Sequence, residues 1–249
     1  MEAKIPKKTV PSSSSVVSIR PSLQDYLIGN YRASRNPDFR IIQSIYSDAE
    51  PHYLRKEVAD HFEKMAEEAS KVKIPLRIIS GFRSFDRQKE IWESKFLGFT
   101  LVENKNLLQT YPDSPKKRVL LLLKYSAAPG TSRHHWGTDL DINSVSPEYF
   151  ETAEGKKVYT WLKENAKKFG FFQPYINKAA DAEERKKGYQ EEKWHWSYQP
   201  ISTLVLEQYK KTISSEMIRG RFLNHKSFQG SEYLPEEFYE DYVLGINNT

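Results

Sequence analysis

The residues of this sequence that are best suited to chemistry lie in three short segments. They span residues 80–88 (Ser-Gly-Phe-Arg-Ser-Phe-Asp-Arg-Gln), 132–141 (Ser-Arg-His-His-Trp-Gly-Thr-Asp-Leu-Asp) and 192–196 (Glu-Lys-Trp-His-Trp). Between them they supply imidazole, carboxylate and guanidinium groups. The chain has no cysteine, so thiolate zinc sites and structural disulfides are both excluded, and any metal site must use His, Asp and Glu.

Two histidines and one aspartate in these segments could form a metal centre. A turn at Gly137 would fold His134 back toward a strand that carries Asp141, and His195 supplies a second imidazole. Two histidines, one carboxylate and an open fourth position make a catalytic zinc shell. Such a metal lowers the pKa of its bound water to about 7 and polarises a scissile carbonyl. A free carboxylate must then move the proton, and Glu192 is the obvious candidate.

At these residues the sequence resembles the D-alanyl-D-alanine carboxypeptidase family of zinc peptidases, whose superfamily includes lysostaphin-type endopeptidases and the hedgehog signalling domain. The family pattern is S-x-H-x-x-G-x-A-x-D followed by E-x-x-H, with S-G-Y-R-S-x-x-x-Q upstream. The matching residues are Ser80, Gly81, Arg83, Ser84, Gln88, Ser132, His134, Gly137, Asp141, Glu192 and His195. Phe82 replaces the family's tyrosine, and the resemblance extends from Asp25 to Tyr198.

The resemblance implies a fold and a set of catalytic roles. The fold would be α+β, with helices packed on one face of a small antiparallel sheet and a zinc cleft on the other. His134, Asp141 and His195 would bind Zn²⁺, and Glu192 would act as general base and acid. Arg83 would stabilise the oxyanion that develops on the attacked carbonyl, a contribution of roughly 2.7–4 kcal/mol in other enzymes.

The resemblance also implies residues that contact the substrate. Ser132 and Gln88 would help to bind its peptide and its terminal carboxylate. Ser84, which belongs to the first motif, and Trp136, which follows His134 by two positions, are predicted as further substrate contacts. The substrate itself would be a peptidoglycan stem peptide.

Two features of the motifs need a structural explanation. The family's small residue two positions before the aspartate ligand is Asp139 here. On a strand it shares a face with Asp141, so it could orient a ligand or compete for the metal. Strict strand alternation would place Glu192 and His195 on opposite faces, so Glu192 must lie in the preceding loop or at a bulge.

Apolar periodicity predicts helices and short strands in mixed order, which favours an α+β fold on its own. Helices are predicted over residues 54–70, after Ser84 as N-cap, over 158–169 with Gly170 at the end, and from Ser202 to about Met217. Strands are predicted at 76–79, at 138–143, from Phe171 and at 193–198.

The chain divides into three predicted regions. Residues 1–20 are rich in Lys, Pro and Ser and are predicted to be a flexible tether. Residues 21–217 are predicted to form the catalytic domain, and 218–249 a C-terminal extension that packs on it. A tether of this kind often follows a removed signal or lipid anchor, so we expect a cell envelope or periplasmic location rather than a cytoplasmic one.

The overall charge excludes little. The 249 residues carry a net charge of +5, with basic and acidic residues interspersed. The basic runs 116–118 and 185–187 are interpreted as solvated loops, so we expect no nucleic-acid partner. No run of apolar residues is long enough to span a membrane, and we expect a monomer.

The other histidines are interpreted more simply. His52, His61 and His225 are expected to be structural or exposed. His135 neighbours a proposed ligand, so it could lie in the second coordination shell, but packing or a substrate contact is the better interpretation.

Several functions remain open on the sequence alone. The first hypothesis is a carboxypeptidase that removes a terminal D-alanine, from a D,D-bond first and an L,D-bond second. An endopeptidase on the same scaffold is an alternative. A catalytically silent cell-wall-binding module and a basic nucleic-acid-binding protein complete the set. A silent module would not need Glu192, Arg83 and all three ligands together.

Overall fold

We describe the fold from a computed structural model, which covers residues 20–48, 50–177, 188–222 and 228–247. The predicted tether lies outside the described residues except for Arg20, whose guanidinium pairs with Asp38 at 2.9 Å. His225 and the basic run 185–187 also lie outside them.

Eight α-helices are found in the described part of the chain. They are α1 (Leu23–Ile28), α2 (Lys56–Lys71), α3 (Phe85–Phe96), α4 (Leu107–Thr110), α5 (Pro115–Leu122), α6 (Ala153–Asn165), α7 (Gln199–Thr212) and α8 (Ser215–Ile218). A 3-10 helix at Arg133–Trp136 precedes the central strand, and a π-helix at Tyr239–Leu244 lies near the end of the chain. None of the helices in the described ranges is both long and apolar enough to cross a membrane.

Six short strands form two antiparallel sheets. They are β1 (Phe39–Ile41), β2 (Tyr53–Arg55), β3 (Ile78–Ser80), β4 (Asp139–Ile142), β5 (Phe171–Phe172) and β6 (His195–Tyr198). Strands β1 and β2 pair with each other, and the other four form a sheet in the order β3-β4-β6-β5. The mixture of helices with small antiparallel sheets confirms the α+β prediction.

The register of the larger sheet brings the three chemical segments together. Asp141 on β4 lies opposite Ser80 on β3 and opposite His195 on β6. Each of the three segments is therefore connected to the same central strand, although residues 80 and 195 are far apart in sequence.

The two faces of β4 have different surroundings. Leu140 and Ile142 belong to a buried apolar cluster, whereas Asp139 and Asp141, which alternate with them, are buried polar residues. The cluster is completed by Trp196 and Tyr198 from β6 and by helices α2 and α6. The helical residues in it are Val58, Ala59, Phe62, Met65, Ala66, Ala69, Val158 and Leu162. We call this cluster and its sheet the sheet half.

A second buried cluster packs around α3, and we call it the helical half. It contains residues of α1, α5 and α7 as well as the end of the chain. From the predicted C-terminal extension it includes Ile218, Phe222, Phe228, Leu234, Phe238, Val243 and Ile246. The described part of that extension therefore contributes to the core.

The element bounds differ from prediction mainly at the ends. Ser84 caps α3, because its hydroxyl accepts a hydrogen bond from the Arg87 amide, as predicted. Gly170 ends the 3-10 turn after α6 with φ 85°, also as predicted. The helix predicted from Ser202 begins earlier, at Gln199, and ends at Thr212, where Ile213 is extended and a separate turn follows. Helix propensity alone does not define the first and last residues of this helix, because the flanking residues continue the apolar pattern.

Candidate metal centre and active site

Three buried side chains from distant parts of the chain meet at one point. His134, Asp141 and His195 each offer one ligand atom, and these atoms all lie within 4.8 Å of one another. We call these residues the ligand cluster. His134 lies in the 3-10 helix, which Gly137 ends with φ 68°, and a Cβ at Gly137 would collide with the ring of Phe39. The turn therefore requires glycine, and it folds His134 back beside β4 as predicted.

Hydrogen bonds on the outer side of the ligand cluster fix which atoms face inward. His134 Nδ1 donates to the Gly81 carbonyl at 2.8 Å, which leaves Nε2 as its inner atom. His195 Nε2 donates to Asp139 Oδ1 at 2.9 Å, which leaves Nδ1 inward. Asp141 Oδ2 accepts from Arg83 Nη2 at 3.2 Å, which leaves Oδ1.

These inner atoms fit a metal ion. Among the described residues, His134 Nε2 and Asp141 Oδ1 are buried and have no hydrogen-bond partner. Both His134 Nε2 and His195 Nδ1 lie 3.3 Å from Asp141 Oδ1. Buried polar atoms without partners are costly, and a shared cation would satisfy them together. A set of two imidazoles and one carboxylate is suited to zinc.

Asp139 contacts His195 from outside the ligand cluster. Its carboxylate accepts from the outer nitrogen of His195 and from Arg133 Nε at 2.8 Å. Burial would disfavour its charge, but Arg133, His195 and Thr138 outweigh burial and hold the pKa of Asp139 below its usual range. The geometry is that of the carboxylate–histidine pairs that fix ring orientation in metal sites.

Arg133 completes this arrangement on the far side of Asp139. Its Nη2 donates to the Ser197 hydroxyl at 2.6 Å, and its guanidinium lies 4.8 Å from the centre of the Trp136 ring. Arg133 and Asp139 are both almost fully buried, so each compensates the charge of the other. Asp139, which replaces the family's small residue, is thus paired with the buried Arg133.

Glu192 lies in the turn before β6, as the alternation argument required. The His195 amide donates to its carbonyl at 3.2 Å, and its Oε2 lies 3.5 Å from His195 Nδ1. Burial raises the pKa of Glu192 to about 7; the charge of Asp141 adds to this, whereas His195, Arg83 and Lys95 oppose it. A carboxyl group with such a pKa can both accept and donate a proton near neutrality.

Arg83 follows β3 and is held between the ligand cluster and α3. Its Nη2 contacts Asp141, and its Nη1 donates to Gln88 Oε1 at 2.9 Å. Gln88 Nε2 in turn donates to the Ala127 carbonyl at 2.7 Å. Gln88 therefore orients Arg83 through Oε1, while its Nε2 is held by the Ala127 carbonyl.

A cleft of about 840 Å³ opens over these residues. Its walls include the ligand cluster, Arg83, Gln88, Ser132 and Glu192. The cleft also contacts residues that the motifs do not mark, among them Lys95, Ser126, Tyr175 and Tyr189. The ring of Tyr175 packs on His195 with centres 4.8 Å apart. The only sequence signal for Lys95 was its position seven residues after Gln88, on the same face of the predicted helix.

Two predicted substrate contacts lie elsewhere. Trp136 does not line the cleft: its indole donates to the Leu27 carbonyl at 3.0 Å and packs on Tyr209 in the helical half. The prediction of a substrate contact at Trp136 is therefore wrong, because the 3-10 turn directs this side chain away from the cleft. Ser84 does not line the cleft either, since its hydroxyl caps α3.

The remaining histidines have structural surroundings in the described ranges. His135 is buried, with Nδ1 donating to the Arg83 carbonyl at 2.7 Å and Nε2 accepting from the Gly130 amide at 3.0 Å. Burial lowers the pKa of His135 to about 3. His52 pairs with Asp48 at the rim of the cleft, and His61 packs on Tyr198.

Comparisons with known proteins agree with these motifs. The family model described as VanY, D-alanyl-D-alanine carboxypeptidase, matches residues 51–201. The putative carboxypeptidase YodJ of Bacillus subtilis is 31% identical over 180 residues, which cover 69% of this chain and 56% of the relative. A D-alanyl-D-alanine carboxypeptidase of Enterococcus faecalis is 29% identical over 148 residues, which cover 54% of this chain and 47% of the relative. The chain thus spans about half the length of these curated relatives.

Two solved structures are also similar. The LdcB LD-carboxypeptidase is 27% identical, with a TM-score of 0.49 and coverage of 75% of this chain and 81% of the other. VanYB in complex with D-alanine-D-alanine is 22% identical, with a TM-score of 0.48 and coverage of 70% and 90%.

Proposed function

The chain belongs to the VanY D-alanyl-D-alanine carboxypeptidase family, and from this premise we propose that it is a zinc metallopeptidase that removes the terminal D-alanine from peptidoglycan stem peptides. The observation that carries the proposal is the buried convergence of His134, Asp141 and His195 beside the carboxylate of Glu192. The same scaffold without catalysis would have no use for that carboxylate, which disfavours a silent binding module.

In this proposal the inner atoms of the ligand cluster hold Zn²⁺. His134 would bind it through Nε2, His195 through Nδ1 and Asp141 through its carboxylate. When bound, the ion lowers the pKa of water to about 7 and polarises the scissile carbonyl. Asp139 and the Gly81 carbonyl keep the two imidazoles in the tautomers that this requires.

Glu192 moves the proton. With a pKa near 7 its carboxylate accepts the proton of the attacking water, and the resulting acid donates it to the departing D-alanine amine. The cleft excludes much of the bulk solvent around Glu192, since that residue is buried. Burial therefore produces both the raised pKa and the protected site.

Arg83 stabilises the charge that develops on the carbonyl oxygen. Its guanidinium is fixed by Asp141 and Gln88, so it needs no rearrangement when the charge appears. Ser132, which lines the cleft beside His134, supplies a hydroxyl for the peptide backbone.

The substrate class implies where the protein acts. Assembled peptidoglycan lies outside the cytoplasm, so we propose that the activity is located in the cell envelope or periplasm. We take residues 21–217 as the catalytic domain and the monomer as the active unit.

The experiment combines metal analysis with product analysis. Purified protein is assayed on a defined muropeptide ending in D-Ala-D-Ala as isolated, after chelation and after zinc is restored. We expect one zinc per chain, release of one D-alanine, loss of activity with the metal and its return. A zinc-loaded protein that leaves the muropeptide intact would refute the proposal. If only internal bonds were cleaved, the activity would be that of an endopeptidase. If D-alanine were released only from tetrapeptides, it would be that of an L,D-carboxypeptidase.

A further inference from the structure

Lys95 is a cationic residue of the cleft that has no role in the proposed hydrolysis. Lys95 lies on α3, where Gln88, Ile91 and Lys95 follow one another along the face that lines the cleft. Its Nζ donates to the Ser126 hydroxyl at 2.7 Å. Ser126 is itself buried and follows α5, so this hydrogen bond joins α3 to the next segment of the cleft wall.

Lys95 lacks a carboxylate partner. Within the described ranges its ammonium forms no ion pair, whereas Lys124 and Lys193 pair with Glu103 and Glu151 at 2.9 and 2.7 Å. Burial and the nearby charge of Arg83 lower the pKa of Lys95, while Glu192 acts weakly in the opposite direction. A partly buried ammonium held by one hydroxyl still has hydrogen-bond donors to offer.

Arg83, on the same side of the cleft, also has an unused donor. Its Nε is buried and has no hydrogen-bond partner among the described residues. The charges of Arg83 and Lys95 are balanced by those of Asp141 and ionised Glu192, so a divalent ion gives the inner cleft a net charge of about +2. An anionic group of the substrate would reduce this excess.

Apart from Asp141 and Glu192, four acidic residues line the cleft, and one of them, Glu103, is paired with Lys124 at 2.9 Å. The other three, Asp48, Glu50 and Glu148, line it from segments next to β3 and β4. A carboxylate would be repelled there and attracted toward α3, so the charges also give the bound peptide a direction.

We propose that Lys95, oriented by Ser126, binds the free C-terminal carboxylate of the substrate. The proposal rests on the proposed function and adds to it a residue that selects peptides with a free carboxyl end. It favours exopeptidase over endopeptidase action, because an internal bond brings no carboxylate to accept from Lys95 or to reduce the positive charge of the inner cleft. Lys95 is a substrate-binding residue and takes no part in proton transfer.

The test compares two substrates that differ only at the carboxyl end. One peptide ends in D-Ala-D-Ala as the free acid, and the other is its C-terminal amide. Lys95→Met should lower kcat/KM for the acid by roughly tenfold to a hundredfold, mainly through KM, because a hydrogen bond between charged groups is lost. The amide should be little affected, so the preference for the acid should largely disappear.

Two further variants separate charge from structure. Lys95→Arg keeps the charge and should keep most of the preference for the acid. Lys64→Met, at an exposed position of α2 away from the cleft, should match the unsubstituted protein on both peptides. An equal loss on acid and amide in Lys95→Met, or equal rates on the two peptides in the unsubstituted protein, would overturn the proposal.

A binding measurement distinguishes this proposal from the proposed function. Calorimetry on zinc-loaded Glu192→Gln protein, with and without Lys95→Met, would use D-alanyl-D-alanine and its amide as probes. We expect the affinity for the acid alone to fall by roughly tenfold to a hundredfold when Lys95 is replaced. If affinity falls in this way but the zinc-loaded protein with Glu192 intact hydrolyses no D-Ala-D-Ala peptide, the proposed function is refuted and the role of Lys95 is kept. If the affinity is unchanged but the protein with Glu192 intact is an active carboxypeptidase, the role of Lys95 is refuted and the proposed function is kept.

Discussion

The two halves of the molecule position their cleft residues by different means. In the sheet half, strand pairing places Asp141 opposite His195, and buried hydrogen bonds fix the outer atom of each ligand. In the helical half, long side chains reach the cleft from α3 and are held by single contacts to the segment after α5. The sheet half therefore supplies a rigid metal centre, and the helical half supplies groups whose length and charge can change without moving it.

Two adjacent histidines show the same difference. His134 offers its Nε2 to the ligand cluster, and that atom has no other partner in the described structure. His135 uses both ring nitrogens in hydrogen bonds to the backbone, at the Arg83 carbonyl and the Gly130 amide. His134 therefore has a ring nitrogen available to bind a cation. His135 is a neutral packing residue that connects Arg83 to the Gly130 turn through its two hydrogen bonds.

The largest effect is expected at the boundary of the two halves, at Glu192. Glu192→Gln should reduce kcat on a D-Ala-D-Ala peptide by roughly 10²–10⁴-fold, because the amide cannot take up the proton. Zinc content should remain at one per chain, since the residue is not a ligand in our scheme. Normal turnover by this variant with bound zinc would remove Glu192 from the mechanism.

A second prediction concerns the buried pair that supports His195. Asp139→Ala restores the family's small residue but leaves Arg133 buried and uncompensated, which should lower the free energy of unfolding by about 3–5 kcal/mol. The double variant Arg133→Met/Asp139→Ala should recover much of that loss, as measured by urea denaturation. Both variants should bind zinc about 10–100-fold more weakly, because His195 loses its acceptor. A double variant no more stable than Asp139→Ala would argue against charge compensation.

The helical half can be weakened without touching the metal centre. Leu234, from the C-terminal extension, is almost fully buried, and Leu234→Ala should cost about 2–5 kcal/mol of unfolding free energy. Leu204→Ala, at an exposed position of α7, is the matched control and should change stability by less than about 0.5 kcal/mol. Zinc binding by the folded protein should stay unchanged in both. Full stability of Leu234→Ala would contradict the assignment of Leu234 to the core of the helical half.

Over a single pH unit, the smallest effect is expected from the titration of His135. Its pKa in the folded protein is about 3 and lies below the value near 6.5 of an unfolded histidine, so the unfolded chain binds the proton first. The stability that this residue contributes is complete above about pH 6.5 and is lost as the pH falls toward 3.

The measurement compares the metal-free protein with His135→Gln, which retains a donor and an acceptor. The stability advantage of the unsubstituted protein should shrink by about 1.4 kcal/mol for each pH unit below 6.5. An advantage that is the same at pH 6.5 and 5.5 would contradict the assignment of His135 as a buried neutral group.

The sequence was informative where function depends on short spacing. The turn at Gly137 and the position of Glu192 before β6 followed from residues a few positions apart, and the structure has both. Asp139 was left between two roles, because alternation places it on the correct face but does not indicate its partner. That partner, His195, is 56 positions away.

The helical half was harder to predict for the same reason. Lys95 belongs to no motif, and its significance depends on Ser126, which lies 31 positions further along the chain. Trp136 was misplaced because adjacency to His134 does not define the direction of a side chain in a 3-10 turn. The strand limits also shifted, with β4 starting at Asp139 and β6 at His195, because pairing rather than local composition ends such short strands.

The register between β4 and β6 limits how the protein can vary. Side chains alternate across a strand, so one residue gained or lost between Glu192 and Ser197 would turn His195 into the apolar interior and bring a tryptophan to the metal. Residues of β6 other than His195 can be exchanged one at a time, but the strand cannot change length. Diversification of such enzymes is therefore expected through replacements near the ligands and through insertions or deletions only at a distance from them.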